Sequence, residues 1–306
     1  MKVPQKAKKL GVIGLTVLIT AYLVYRVYSE ASEINFRPSQ LLSVYTLLAV
    51  LFGVFGYFTY TLIWYLYLDN VAPVRFYRVL LANLSGTYLS FSLNVAIGTL
   101  IKVKFIGVGY FVVLATSLMD TSTEFLIGTL MLFAFNRDPG ALAVALFFIL
   151  AFVADRQIYR LALRFPRIIG RGENMFNEFY HGWHVAKSNP RRVLLAMLLG
   201  TLLVLMNAGT LMSVARVFGV HLSLSIAVEA VLYSNVLGSV LGTPGGVGGN
   251  ELGVMMAIGS GGLDVIIAFL FKFINQYMFA IFGAFAFYHF VSAEVREQSP
   301  ETAELD

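Results

Sequence analysis

The sequence predicts an all-α polytopic membrane protein with about six full spans and two re-entrant broken-helix hairpins in an inverted repeat. Of its 306 residues, 58% are hydrophobic and only 13% are charged, whereas a soluble domain carries about 25% charged residues. Several stretches reach the roughly 20 apolar residues that cross about 30 Å of hydrocarbon. This composition excludes a soluble enzyme and a nucleic-acid-binding protein, and the lack of Cys excludes disulfides and thiolate chemistry.

Six apolar segments qualify as full spans. They are 10–28, 40–68, 106–134, 139–155, 192–218 and 263–292. The first follows four Lys in residues 1–9, as in a signal peptide, but its apolar run exceeds the roughly 7–15 residues of a signal-peptide core. We therefore expect a retained helix, with cleavage near Ser29 as the alternative, and residues 1–38 then form an N-terminal span and an outer loop.

The distribution of Lys and Arg predicts the orientation. Eight of the 22 bases lie between 155 and 192 and four more in residues 1–9, and such excesses are typical of cytoplasmic segments. With both segments inside, the broken apolar stretch 79–101 must enter and leave on the cytoplasmic side. The second broken stretch, 222–260, must return to the outer side if 263–292 is to bring the acidic tail inside. We therefore expect a multi-pass protein of the cell membrane with both termini cytoplasmic.

Two hairpins that enter from opposite faces describe an inverted repeat. Its halves are residues 39–155 and 192–292, and the acidic tail is 293–306. LSFSLNVAIGT at 89–99 and LYSNVLGSVLGT at 232–243 share an Asn-Val pair and a closing Gly-Thr, although such residues also recur by chance in membrane helices.

The charged segment between the halves, 156–191, is predicted to lie along the inner surface as an amphipathic loop. His181 and His184 within it are three residues apart, a spacing that metal ligands can have. They lack a third ligand, so interfacial packing with Trp183 is the preferred interpretation. We predict no metal, no cofactor and no catalytic residue.

The most unusual stretch is TPGGVGGNE at 243–251, where four Gly and a Pro within six residues break any helix. Unpaired backbone groups cost several kcal/mol in hydrocarbon, so this backbone must face protein or a watery cavity. A helix that restarts near Glu251 presents free N–H groups and its positive dipole end. The sequence therefore predicts an anion site here, with phosphate as its natural guest.

At this stretch the chain resembles the flippase-like family of the lysylphosphatidylglycerol synthase transmembrane region, the membrane part of the multiple-peptide-resistance-factor proteins. The family signature Pro-Gly-Gly-x-Gly-x-x-Glu is matched by Pro244, Gly245, Gly246, Gly248 and Glu251, and a first-half element by Ser90, Asn94, Gly98 and Lys102. Asn250 replaces the Arg that is common before the signature Glu, and the Pro and Gly-Glu of the first-half element are absent. The resemblance implies two re-entrant hairpins around a central cavity that translocates or holds a polar-headed lipid.

The predicted substrate-binding residues combine eight of these matches, all but Ser90, with Asn235 and Lys272, which are chosen for their position. They are Asn94, Gly98, Lys102, Asn235, Pro244, Gly245, Gly246, Gly248, Glu251 and Lys272. Lys102 and Lys104 are expected at the cytoplasmic exit of the first hairpin, where bases can snorkel to the interface. Lys272 is the one base that this topology leaves within a span.

Ionisable residues inside the predicted spans each cost at least about 2.5–3.5 kcal/mol on insertion scales and need a reason. Ser117, Asp120, Thr121 and Glu124 share one helical face, and Lys272, Asn275 and Gln276 form a comparable stripe. Lys272 is expected to approach Asp120 or Glu124. Asp120, Glu124 and Glu229 are candidates for intramembrane charge or proton coupling, with structural ion pairs as the alternative.

Three functions are compatible with the sequence. The first is translocation of a phospholipid or a polyprenyl-phosphate-linked lipid, which makes a membrane lipid with an anionic headgroup the expected partner. The second is a non-catalytic membrane partner of a separate glycosyltransferase or lipid synthase. The third, an intramembrane enzyme, is disfavoured because no metal motif or Ser-His pair is present. Lipid aminoacylation is not expected either, since no soluble synthase domain follows 263–292. The oligomeric state stays open.

Overall fold

The structure, a computed structural model, describes residues 38–93, 95–164, 172–240, 244–259 and 262–298, which are almost entirely helical. The helices are α1 (Val44–Val71), α2 (Phe76–Ser92), α3 (Val95–Ile106), α4 (Tyr110–Asn136), α5 (Pro139–Val153), α6 (Asp155–Leu163), α7 (Glu173–Ala186), α8 (Pro190–Val217), α9 (Leu224–Val240), α10 (Gly249–Ile258), α11 (Leu263–Lys272) and α12 (Met278–Gln298). A 3-10 turn at Pro38–Leu42 precedes α1, a second at Pro244–Gly246 precedes α10, and a π-helical turn at Phe273–Tyr277 joins α11 to α12. The predicted span 10–28 and Asn94 lie outside the described residues.

Among the described residues, four helical stretches are long and apolar enough to cross a membrane. They are Val44–Val71, Tyr110–Asn136, Pro190–Val217 and Leu263–Phe290, the last running through the π-helical turn into α12. They correspond to the predicted spans 40–68, 106–134, 192–218 and 263–292. The chain is therefore a multi-pass membrane protein.

The predicted span 139–155 differs from the other four. Its helix α5 has 15 residues, about 23 Å of helix, and the chain bends by 77° between α5 and α6. Helix α5 alone is thus shorter than the hydrocarbon core of about 30 Å.

Two pairs of short helices take the places of the predicted hairpins. α2 and α3 form one antiparallel pair, in which a Cβ on Gly98 would lie 2.5 Å from the backbone oxygen of Gly86. α9 and α10 form the other, in which a Cβ on Gly253 would lie 2.4 Å from the backbone oxygen of Tyr233. α3 has 12 residues and α10 has 10, so each is about 15–18 Å long and too short to span the bilayer.

The order of a long helix, a helix pair and a second long helix occurs twice along the described chain. The first set is α1, the pair α2–α3 and α4, and the second set is α8, the pair α9–α10 and α11–α12. Each set packs on the other in a reciprocal way. α1 lies along α8, the first helix of the other set. The pair α2–α3 contacts α12 through α2, whereas the pair α9–α10 contacts α4 through α9. Apolar side chains such as Leu211, Val228 and Phe271 fill one core, and Ile63 and Met119 belong to a second.

The charged segment 156–191 contains α6, α7 and the start of α8, with 165–171 outside the described residues. Lys187 Nζ donates to Asp155 Oδ1 at 2.7 Å, and His184 Nδ1 lies 2.9 Å from Asp155 Oδ2. α7 packs closely on α4, since Gly182 lies against Val112. His184 thus belongs to an ion network that ties the end of α7 to the start of α6. No group of three or more potential metal ligands occurs in the described part of the chain.

Candidate functional site

A cavity of about 800 Å³ lies between the two helix pairs and the long helices. Its polar lining consists of Tyr57, Tyr60, Asn83, Thr87, Ser90, Thr99, Lys102, Ser117, Thr121, Glu124, Asn207, Asn235, Ser239, Asn250, Lys272, Asn275 and Gln276. The volume falls within the range of about 300–1,000 Å³ that small-molecule sites have. Polar groups at membrane depth are tolerated where they line such a cavity or are buried in protein.

Glu124 is the centre of a hydrogen-bond network across this cavity. Its Oε1 accepts from Asn207 Nδ2 at 3.0 Å and from Asn235 Nδ2 at 3.1 Å. Asn275 Nδ2 donates in turn to Asn207 Oδ1 at 3.3 Å. The network joins α4, α8, α9 and the π-helical turn, and its bonds to a carboxylate are of the stronger, charge-assisted kind.

Asn207 was not among the predicted residues. It is the one carboxamide within the apolar segment 192–218. This isolated polar residue could have indicated from the sequence that Asn207 takes part in a polar network inside the bundle.

Lys272 is 2% exposed and lines the cavity. It ends α11, and the π-helical turn that follows keeps Asn275 and Gln276 on the cavity side; such π insertions are frequent at functional sites. Glu251 and Glu124 both act on Lys272 electrostatically. No hydrogen bond and no ion pair within 4 Å engages its ammonium among the described residues, so its three donors are left for a ligand.

Lys102 lines the same cavity from α3, and its Nζ lies 4.5 Å from the centre of the Trp64 ring. The carboxylate that acts on it is Asp120. The two lysines that were expected together at the cytoplasmic exit differ in their surroundings: Lys104 is exposed, whereas Lys102 lines the cavity. Residues two apart on a helix lie about 200° apart around its axis, so the two side chains leave opposite faces.

Glu251 is 5% exposed and holds the glycine-rich turn from within. Its carboxylate accepts from the backbone N–H of Gly248 at 2.7 Å and from the Tyr277 hydroxyl. Gly245, Gly246 and Gly248 have φ values of 61°, 72° and 85°, a left-handed conformation that favours glycine. Glu251 itself thus supplies the negative charge that the start of α10 attracts, and the lysines remain as the cationic groups that face the cavity.

Asn250, which stands where an Arg is common in the family signature, also faces the cavity. Its Nδ2 donates to the backbone oxygen of Gly245 at 3.1 Å and to Gln276 Oε1 at 3.2 Å. A neutral amide therefore bridges the glycine-rich turn and the π-helical turn. The cationic character of the site consequently depends on Lys272 and Lys102.

The structure brings together part of the predicted set. Lys102, Asn235, Gly245, Gly246 and Lys272 line the cavity with Glu124. The other predicted residues are placed elsewhere. Gly98 is buried where α2 meets α3, and Glu229 lies one turn before Tyr233 on α9. Pro244 begins the 3-10 turn, Gly248 and Glu251 lie behind the lining, and Asn94 falls outside the described residues.

Asp120 lies behind the cavity wall and is 2% exposed. Its Oδ1 accepts from the Thr121 hydroxyl at 3.3 Å, whereas its Oδ2 is buried without a hydrogen bond among the described residues. Of the two acids that were expected near Lys272, Glu124 acts on it electrostatically, whereas Asp120 acts on Lys102. Lys272 is thus grouped with Glu124 and Glu251, and Lys102 with Asp120, while Asp120 and Glu124 also act on each other along α4.

Comparison with protein families gives a match to one family model. The model of the lysylphosphatidylglycerol synthase TM region matches residues 11–283, which include both helix pairs and the whole lining of the cavity. No curated protein and no solved structure matches the chain.

Proposed function

Because the chain belongs to the family of the lysylphosphatidylglycerol synthase TM region, we propose that it is an integral membrane translocator of a polar-headed lipid. The cargo is a phospholipid or a polyprenyl-phosphate-linked lipid, and its headgroup binds in the central cavity. One observation carries the proposal: the ammonium of Lys272 is buried, faces the cavity and has no hydrogen-bond partner among the described residues. A buried cation in this state calls for an anionic ligand.

The chemistry of the lining supports a phosphate-bearing headgroup. Lys272 and Lys102 supply cationic donors from different helix sets. The carboxylates that act on Lys272 accept hydrogen bonds from other donors, Glu124 from two carboxamides and Glu251 from Gly248 and Tyr277. The two lysines are therefore the groups that bind the phosphate, and the carboxamides around them bind the remaining headgroup oxygens.

The acyl chains of the cargo stay in the bilayer. Three lining residues, Ala96 on α3, Leu118 on α4 and Ser239 on α9, are also exposed at the molecular surface, and Leu118 is 44% exposed. Their exposure supports an opening of the cavity toward lipid between these helices. A headgroup can enter through this opening while its hydrocarbon tails remain in lipid.

We further propose that the two helix sets form an inverted repeat with six full spans. The recurring helix order, the reciprocal packing of each pair on the other set and the short lengths of α3 and α10 support it. The pairs are then re-entrant, and the site lies near the bilayer midplane, as in transporters with broken helices. The distribution of Lys and Arg supports cytoplasmic termini at the cell membrane.

The test is lipid exchange between leaflets of liposomes that contain the purified protein and fluorescent phosphatidylglycerol. A quencher added outside the vesicles first removes the label of the outer leaflet. Quenching of the remaining, inner-leaflet label should then be faster than in empty vesicles. Losing a hydrogen bond to a charged group costs about 1.5–3 kcal/mol, so we expect Lys272→Gln to slow exchange about 10- to 150-fold. Lys104→Gln, which removes an exposed base two residues from Lys102, is the matched control and should exchange like the unmodified protein.

Two results would overturn the proposal. One is exchange no faster than in empty vesicles, combined with no lipid detected by mass spectrometry of the protein purified in mild detergent. The other is equal exchange rates for Lys272→Gln and Lys104→Gln at equal folded yield, which would make Lys272 a structural residue.

A further inference from the structure

Lys102 lines the cavity, Asp120 lies behind the cavity wall on α4, and the two act on each other electrostatically with no hydrogen bond or ion pair between them. Asp120 Oδ2 is buried without a hydrogen bond among the described residues, and so is Ser117 Oγ one turn earlier on α4. Asp120 acts on Lys102 electrostatically, but no ion pair within 4 Å joins them. Burying a charged carboxylate costs free energy when one of its oxygens accepts no hydrogen bond.

Few other titratable groups surround Asp120. Glu124 on α4 and Tyr60 and Tyr67 on α1 interact with it electrostatically. Tyr67 is committed to Thr123 through a hydroxyl–hydroxyl contact of 2.7 Å, whereas Tyr60 lines the cavity.

The remaining helices that pack on α4 bring no titratable side chain to Asp120. α5 contains no titratable residue. α8 and α9 present the neutral amides Asn207 and Asn235 to the cavity. Glu178 on α7 lies against Gly109, eleven residues from Asp120 and hence about 16 Å along the helix axis. Lys102 is therefore the one cation among the described groups that face Asp120.

We propose that Asp120 is a proton-coupling site at which proton uptake favours binding of the headgroup phosphate to Lys102. The inference rests on the proposed lipid translocation and adds its energy source. The ionised carboxylate attracts the Lys102 ammonium and competes with a phosphate. A proton on Oδ2 removes that competition and leaves Lys102 to the cargo.

The coupling works equally in the other direction. A phosphate bound at Lys102 adds negative charge beside Asp120 and so favours its protonated form. Because such linkage is reciprocal, a proton and an anionic headgroup bind together and are released together. The proton comes from water on the side where the cavity is open and leaves to water on the opposite side. Lipid and proton therefore move in the same direction.

The experiment uses proteoliposomes with fluorescent phosphatidylglycerol, whose phosphodiester stays ionised at every pH used. A gradient of about one pH unit is imposed with the membrane potential clamped at zero. Exchange is followed by quenching, and luminal pH by an entrapped dye. If one proton moves with each lipid, a gradient of one pH unit can change the exchange rate at most about tenfold. Exchange toward the alkaline side should therefore accelerate about three- to tenfold. When the lumen is the alkaline side, exchange should also acidify the lumen.

Asp120→Asn mimics the protonated carboxyl group and should exchange lipid at a rate that no longer depends on pH. Glu229→Gln is the matched control, because Glu229 is a carboxylate of α9 that interacts with Tyr233 and is not among the groups that act on Lys102 or Lys272, and it should keep the full pH response. Lys102→Gln removes the group through which the proton acts. The slower residual exchange of Lys102→Gln should also be independent of pH. This variant therefore tests the coupling even if Asp120→Asn does not fold.

The outcomes separate the two proposals. If the unmodified protein exchanges lipid without any response to the pH gradient, proton coupling is overturned while translocation stands. If no exchange occurs at any pH, lipid translocation fails and the coupling fails with it. A pH response that survives in Asp120→Asn or in Lys102→Gln, or that disappears in Glu229→Gln, overturns the assignment to Asp120.

Discussion

The close contact between α9 and α10 predicts that the substitution Gly253→Ala lowers, rather than raises, the free energy of unfolding. Gly253 lies inside α10, and a Cβ there would lie 2.4 Å from the backbone oxygen of Tyr233 and 2.5 Å from the backbone nitrogen of Ser234. Favourable contacts between heavy atoms need about 3.5–4.0 Å. Both atoms belong to the α9 backbone, so no rotamer change relieves the clash. In Gly253→Ala, α9 and α10 must therefore separate by about 1 Å.

The expected magnitude combines two opposing effects. Overpacking typically costs about 1–3 kcal/mol, and a clash with backbone belongs at the upper end. Ala is favoured over Gly inside a helix by about 1 kcal/mol. We therefore expect Gly253→Ala to lower the free energy of unfolding by about 2 kcal/mol, whereas without the close approach it would raise it by about 1 kcal/mol.

Thermal unfolding in detergent, followed by size-exclusion chromatography of the heated samples, measures this effect. Gly56→Ala is the matched control within α1, because its Cβ would meet Asn207 Oδ1 at 3.3 Å and Met206 Cβ at 3.5 Å. It should stay within about 1 kcal/mol of the unmodified protein. A midpoint for Gly253→Ala at or above that of the unmodified protein would refute the close packing of α9 on α10.

Three further substitutions test the same architecture. Gly98→Ala places a Cβ 2.5 Å from the Gly86 backbone oxygen and should destabilise the first helix pair by about 1–3 kcal/mol; an unchanged unfolding midpoint would contradict this. Asn207→Leu removes one of the two carboxamide donors to Glu124 and should lower the free energy of unfolding by about 1.5–3 kcal/mol; the expectation fails if the same substitution has no effect in denaturant titration. Tyr277→Phe deprives the Glu251 carboxylate of its hydroxyl donor and should cost a similar amount, about 1.5–3 kcal/mol, seen as faster proteolysis of the glycine-rich turn; resistance equal to that of the unmodified protein would argue against that donor.

Much of the candidate site could be predicted because local sequence carries its signals. The broken apolar stretches 79–101 and 222–260 indicated helix pairs, since Gly, Asn and Pro interrupt helices wherever they crowd together. Lys272 stood out because a base inside an apolar run needs a reason. The spacing of Ser117, Thr121 and Glu124 placed them on one face, and all three line the cavity.

Other features depended on which helices become neighbours. The sequence left open whether Lys272 meets Asp120 or Glu124, because these residues are about 150 positions apart and periodicity along one helix does not report its partner. Likewise, Glu251 was predicted among the substrate-binding residues, and its bonds to Gly248 and Tyr277 became visible only in the tertiary structure. Lys102 lies in the cavity because α3 turns this face toward Trp64.

The sequence by itself determined that the chain is a helical membrane protein with two interrupted segments, few intramembrane charges and the signature of its family. These properties follow from composition and local spacing, which act through solvation and backbone conformation. Only the tertiary structure decided how the charges are grouped, Lys102 with Asp120 and Lys272 with Glu124 and Glu251. The physical reason is that electrostatic attraction and hydrogen bonding act over a few ångströms in space, and that distance is set by the packing of helices remote in sequence.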